Sequence, residues 1–157
     1  MKIKLLLIGK TDEDYLRRGE DKYYLRLKHY INVDVTVIQD LKKTKNLTEE
    51  QQKQKEGELI LNQINPGDFL VLLDEDGKEY TSVEFSRLLQ KKMISGIKNV
   101  VFVVGGPYGF SKELYAKCNL KISLSRMTFS HQMVRLIFLE QLYRAMTILK
   151  GEPYHHI

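Results

Sequence analysis

The residues best equipped for chemistry gather in the last third of the chain. An apolar run, Asn99-Val-Val-Phe-Val-Val104, feeds directly into Gly105-Gly106-Pro107-Tyr108-Gly109-Phe110. Glycines at such a point let the backbone take positive φ and let a ligand approach with no Cβ in the way. The same spacing also suits a plain tight turn, and the segment alone does not choose. Ser123, Ser125 and Thr128 add hydroxyls after the next apolar run, although such residues also populate ordinary loops. Further on, Glu140 and Arg144 stand four apart on a helical stretch and can pair. Arg135 lies closer to the glycine segment, and Tyr154, His155 and His156 follow near the end.

Several chemistries are excluded by what these residues lack. Gly9 stands alone after the first apolar run, so a GxGxxG dinucleotide site is absent, and no GxxxxGK[ST] phosphate loop occurs. Gly109-Phe110-Ser111 lacks the closing glycine of a nucleophile elbow. The histidines His29, His131, His155 and His156 have no spaced carboxylate or cysteine set, so no metal site is expected. The single cysteine, Cys118, excludes an intrachain disulfide and reads as an ordinary helix residue.

The elements that must hold these groups are legible from periodicity. Ile3–Ile8, Phe69–Leu73 and Val100–Val104 are short apolar runs, as strands buried in a parallel sheet are, Val33–Ile38 is β-branched and strand-like, and Leu120–Leu124 is a fifth strand. Helical patterns separate them. One opens at Thr11-Asp12, with acidic residues in its first turn, and runs to about Ile31. Thr48-Glu-Glu-Gln51 offers a capping box for a second, reaching about Ile64. Ser82 caps a third that Gly96 stops, and Ser111–Cys118 is a short fourth. The last, His131 to about Lys150, carries the stripe Val134, Ile137, Phe138, Leu142, Met146 and Leu149. Met133, Leu136, Leu139 and Ile148 lie off that line, so its apolar face is wide enough for a subunit interface as well as a core. Asp74-Glu-Asp-Gly77 reads as a turn closing the third strand.

Five alternations of strand and helix define an α/β protein with a largely parallel sheet and helices on both faces. Residues 1–157 are expected to form a single domain. Ligands in such sheets sit beyond the carboxyl ends of strands, which singles out Leu73-Asp74, Val104-Gly105-Gly106 and Leu124-Ser125. The longest apolar runs are about half the ~20 residues of a membrane span, so a cytoplasmic protein without a membrane partner is expected. A net charge of +5 permits a polyanionic partner. The basic residues Arg17, Arg18, Lys22, Arg26 and Lys28 read as either a solvated helix face or an RNA-binding one.

Taken together, these motifs resemble a known family. Gly105-Gly106-Pro-Tyr-Gly109, Leu124-Ser-Arg-Met-Thr-Phe-Ser-His131-Gln-Met-Val-Arg135, Glu140-Gln-Leu-Tyr143-Arg144-Ala145 and Pro153-Tyr154-His155 look like those of the ribosomal RNA large subunit methyltransferase H family, of the α/β-knot (SPOUT) methyltransferases. The resemblance spans the whole chain. It implies a C-terminal trefoil knot, a homodimer that shares its active sites, and S-adenosyl-L-methionine as cofactor. It implies methylation of N3 of a pseudouridine in a hairpin loop of 23S, large-subunit ribosomal RNA, the partner being the RNA within the ribosome. Carried over by position, cofactor contacts fall on Leu73, Gly105, Leu124, Ser125, Arg126, Met127, Thr128 and Phe129. His155, Tyr154, Glu140 and His131 become the catalytic candidates, with His155 the first choice for removing the N3 proton. Arg135, Arg144, Arg17 and Arg18 become candidate RNA contacts. The ending His156-Ile157 departs from the family's usual basic residue after Tyr-His, which removes one positive charge. Two other readings compete: a non-catalytic RNA-binding or ribosome-associated dimer of the same fold, and a small-ligand protein of flavodoxin type.

Overall fold

Strands that are apolar on both faces must be covered on both, and this dictates the architecture. The computed structural model describes residues 1–156; Ile157 lies outside the described residues, and with it the last position of the unusual ending. In chain order the elements are β1 (Lys2–Ile8), α1 (Asp14–Leu27), β2 (Asn32–Ile38), α2 (Glu49–Leu61), β3 (Phe69–Glu79), α3 (Ser82–Ile94), β4 (Asn99–Val104), α4 (Lys112–Lys117), β5 (Leu120–Ser123) and α5 (Met133–Leu149). The sheet order is β2-β1-β4-β3-β5, and every neighbouring pair is parallel. The α/β class and parallel sheet expected from the sequence are what the chain adopts.

Residues alternate between two cores. Ile3, Leu5, Leu7, Val100, Phe102 and Val104 point to the face covered by α1, α3 and α5, where they meet Leu27, Phe85, Phe138, Leu139 and Leu142. Leu6, Ile8, Leu70, Leu72, Val101 and Val103 point to the other face, against Ile60 of α2 and Leu114 of α4. Each fully buried Leu or Phe contributes about 1.5–3 kcal/mol, so the period-2 alternation locks each strand's register. On α5 the buried line is Phe138, Leu139, Leu142, Ala145 and Met146. Leu139, read as off the stripe, is thus part of the core, while Val134, Ile137 and Leu149 are only half-buried.

The caps follow side-chain chemistry. Thr48 and Gln51 form the full capping box expected for α2. For α3 the cap is Thr81, boxed with Glu84, one residue before the expected Ser82; the Ser82 hydroxyl instead donates to Gln141 Oε1 at 2.7 Å. Thr11 does not open α1, whose N-cap is Glu13. Its side chain is buried and donates to Glu20 Oε1 at 3.0 Å.

The Asp74–Gly77 segment departs most from expectation. It is an excursion within β3 rather than its end: Leu73 and Lys78 both register with Ile122 of β5. Gly77 makes this possible, since a Cβ there would lie 2.7 Å from the β5 backbone at Ile122.

Candidate functional site

β3, β4 and β5 are neighbours in the sheet, so the three strand ends singled out by the sequence open side by side. They bound a cleft of about 520 Å³. Leu73 and Asp74 line it from β3, Gly105 to Phe110 from the loop after β4, and Leu124, Ser125, Met127, Thr128 and Phe129 from the segment after β5, with His131 and Val134 at the start of α5. Seven of the eight residues expected to hold the cofactor therefore line one cavity. The eighth, Arg126, points away: its side chain is largely exposed and lies 3.9 Å from Glu79.

The glycines of the segment serve both of the purposes their residue type allows, a turn and open space. Only Gly109 has positive φ, at 83°, where the chain turns back and its N–H donates to the Gly106 carbonyl at 3.3 Å. Gly105 is required for space, because a Cβ would come within 2.9 Å of the Phe110 ring. A Cβ on Gly106 would come within 2.8 Å of the Glu56 carboxylate. Glu56 is buried with Oε1 unpartnered, and burial raises its pKa above the usual carboxylate range. The hydroxyls brace the opposite wall. Ser123 Oγ donates to the Ser125 carbonyl, Ser125 Oγ accepts from the Met127 N–H, both at 2.9 Å, and Ser130 Oγ accepts from the Met133 N–H at 3.0 Å. At the mouth, Asp74 accepts hydrogen bonds from the Tyr115 hydroxyl and from the Asp76 N–H. Burial and then that bond raise the Tyr115 pKa above its usual value. Tyr115 and Asp74 meet across 41 residues, a pairing the sequence does not signal.

A second cluster lies further along α5. Glu140 Oε1 accepts from Arg144 Nε at 3.1 Å and from the Tyr154 hydroxyl at 2.9 Å. Arg144 Nη1 lies 3.2 Å from His155 Nδ1, and the guanidinium sits 4.7 Å over the Tyr154 ring. The bond to Glu140 raises the Arg144 pKa further, and burial does the same for Tyr154. The terminal segment is docked rather than a free tail. Tyr154 packs edge-on to Tyr143, Tyr143 packs edge-on to Tyr30, and Tyr30 donates its hydroxyl to Glu152. Tyr23, Tyr30, Tyr143 and Glu152 are not among the functional residues expected from the sequence.

The two clusters are not joined within one chain. Glu140, Tyr154 and His155 do not line the cleft, and of the catalytic candidates only His131 does. Val134 borders the cleft, and Glu140 and Arg144 lie six and ten residues further, about 9 and 15 Å at helical rise.

Among the candidate RNA contacts, Arg135 is corrected by the structure. Its side chain is wholly buried, with Nη1 donating to Thr11 Oγ1 at 3.1 Å and Nη2 to the Ile8 carbonyl at 2.6 Å. An arginine sealed between α5, α1 and the end of β1 cannot meet a phosphate. Arg17 and Arg18 are exposed and pair loosely with Asp14, at 3.5 and 3.3 Å. Among the described residues no cluster of His, Cys, Asp or Glu has the makings of a metal site, and no helix is long and apolar enough to cross a membrane.

A parallel α/β sheet with a cleft across three adjacent strand ends, glycine-walled on one side and hydroxyl-braced on the other, is the architecture of a small-molecule-binding α/β protein. The comparisons with known proteins make that class specific. The family model described as "Predicted SPOUT methyltransferase" matches residues 1–155. The chain is 62% identical over 156 residues to ribosomal RNA large subunit methyltransferase H of Parabacteroides distasonis, 64% to that of Flavobacterium psychrophilum and 61% to that of Christiangramia forsetii, in each case covering 99% of both chains. The chain belongs to the SPOUT methyltransferases and, within them, to the ribosomal RNA large subunit methyltransferase H family. Among solved structures, a probable methylase family protein from Haemophilus influenzae Rd KW20 matches 99% of this chain and 70% of its own, at 14% identity and a TM-score of 0.48, a likeness too distant to add to the assignment.

Proposed function

We propose that this protein uses S-adenosyl-L-methionine to methylate N3 of a pseudouridine in a hairpin loop of 23S ribosomal RNA. The observation that carries the reading is the cleft itself, whose lining includes the cofactor set that the family resemblance nominates, Arg126 excepted. Its volume of about 520 Å³ is within the roughly 300–1,000 Å³ of small-molecule sites. The residues fit such a cofactor: Leu73, Leu124 and Met127 offer apolar walls for rings, and Gly105 leaves room that a side chain would fill. When bound, the cofactor supplies an electrophilic methyl group on a sulfonium.

The chain's own part is to bring the base to that methyl group and to manage the N3 proton. Glu140, Arg144, Tyr154 and His155 form one connected polar cluster suited to a substrate base, while His131 stands on the cleft wall. Because cleft and cluster are separate in one chain, the reading includes a homodimer in which each subunit's tail cluster completes the other's cleft. It also includes a single domain over residues 1–157, with α5 threaded as a trefoil knot, acting on ribosomal RNA in the cytoplasm. Arg144, Arg17 and Arg18 remain proposed RNA contacts. A hairpin loop suits this machinery because its bases can be splayed out of the stack at a cost of a few kcal/mol.

The test is mass spectrometry of large-subunit ribosomal RNA after incubation with the protein and isotope-labelled cofactor. A labelled N3-methylpseudouridine is expected. A protein that binds ribosomes but shows no cofactor binding by calorimetry would instead be the non-catalytic dimer.

A further inference from the structure

The contact between Arg144 and His155 determines which nitrogen of that imidazole carries hydrogen. A guanidinium has only N–H donors, so across the 3.2 Å to Arg144 Nη1 it is His155 Nδ1 that accepts. An imidazolium carries N–H on both nitrogens and accepts nothing. The ring that accepts this bond is therefore neutral, with its hydrogen on Nε2. Arg144 is not free to turn away, since Glu140 accepts from its Nε and its plane lies over Tyr154. Tyr154 is itself tied to Glu140 at 2.9 Å, and the tail bearing His155 is pinned where Tyr30 meets Glu152. Nε2 has no partner among the described residues, and the residue is only half-buried.

We infer that His155 serves the reaction as a hydrogen-bond donor to the substrate base through Nε2–H, not as the base that removes its proton; the inference rests on the methyltransferase reading above. Nε2 offers no lone pair to take a proton, and Nδ1 is occupied by Arg144. What Nε2–H does offer is stabilisation of charge. N3 of pseudouridine lies between two carbonyl groups, and loss of its proton spreads negative charge onto both oxygens. A preorganised N–H aimed at one of them favours the anion, as oxyanion-hole donors do elsewhere. The Arg144 cation behind the ring polarises Nε2–H in the same sense. The step balances with hydroxide from solvent as the acceptor of the N3 proton, which leaves as water. The N3 electron pair then forms the new N–C bond while the methyl–sulfur bond breaks, its pair staying on sulfur.

Two measurements test this. Long-range 1H–15N NMR of the histidine-labelled protein at neutral pH, with His155 assigned by the signal missing from the His155→Ala variant, is expected to show the Nε2–H tautomer. An Nδ1–H tautomer overturns the inference. In single-turnover methylation of ribosomes, His155→Gln keeps an amide N–H near the Nε2 position and is expected to stay within about tenfold of wild type. His155→Asn and His155→Ala are expected to fall about 10²–10³-fold, the loss typical of one such donor. Equal collapse of all three variants, with cofactor binding retained, identifies a proton acceptor and sinks the donor role alone. Wild-type protein that leaves N3 unmethylated sinks the methyltransferase reading and the donor role with it.

Discussion

Replacing Arg135 with methionine separates a buried brace from an RNA contact. The guanidinium is wholly buried, donates to the Ile8 carbonyl at 2.6 Å and to Thr11 Oγ1 at 3.1 Å, and faces the buried Glu20. Burial pulls the Arg135 pKa down and raises that of Glu20, while each group's charge opposes the other's shift. Methionine has similar bulk but leaves the Ile8 carbonyl without this donor and Glu20 without its opposing charge. Leaving a buried polar group without its hydrogen-bond partner costs about 1–3 kcal/mol. For a domain of this size each kcal/mol lowers Tm by about 2–4 °C, so a drop of about 2–12 °C is expected. Adding Glu20→Gln should restore at least about 1 kcal/mol, because the stranded carboxylate is then gone. Denaturant unfolding of the two single variants and the double variant reads all three quantities. A loss below about 1 kcal/mol for Arg135→Met, joined to a weaker salt dependence of RNA binding, would refute the buried-brace assignment.

Other outcomes follow from the same geometry. Gly105→Arg must displace the Phe110 ring from 2.9 Å and fill the cleft. Calorimetry should find cofactor affinity abolished while circular dichroism stays native, and retained affinity would remove the glycine loop from the site. Glu56→Gln tests the raised carboxyl under Gly106. A folded pKa raised above 4.5 means the native state keeps its proton to higher pH than the unfolded chain. Its contribution is therefore full below the unfolded value and lost as pH rises through the folded one. Glu56→Gln lacks that loss, so its stability relative to wild type should rise by about 1–3 kcal/mol as pH climbs through the raised folded value, as burial of an unsatisfied carboxylate is relieved; a pH-independent difference would contradict this. Arg17→Ala with Arg18→Ala breaks only exposed pairs with Asp14 and should change stability by less than about 0.5 kcal/mol. If both arginines meet phosphates, the slope of log affinity for RNA against log salt should fall by about 1.4, and an unchanged slope removes them from the interface.

Local chemistry left a clear imprint on the sequence. Thr48 with Gln51 announced a helix start because a capping box is made within four residues. The inner strands β1, β3 and β4 announced themselves because burial on both faces demands near-continuous apolar runs, and the exposed edge strand β2 did so through its β-branched residues; the strand-end rule led to Leu73, Gly105 and Leu124 without knowledge of sheet order. Errors arose where a neighbour distant in the chain decided the matter. Asp74–Gly77 has the composition of a turn, yet β5 passes close enough to draw the chain back into the sheet at Lys78.

Periodicity, caps and motif spacing thus determined the α/β class, the strand ends at the cleft and, through resemblance, the family. Only the tertiary structure decided what each charged or aromatic side chain touches. Arg135 reads as a surface cation until Ile8 and Thr11, more than 120 residues away, close over it. Nothing in the sequence tells what His155 touches, and only the fold sets its Nδ1 3.2 Å from Arg144 Nη1. Residue type sets what a group is able to do, but the desolvation and hydrogen bonds that select one role come from partners that only folding brings into reach.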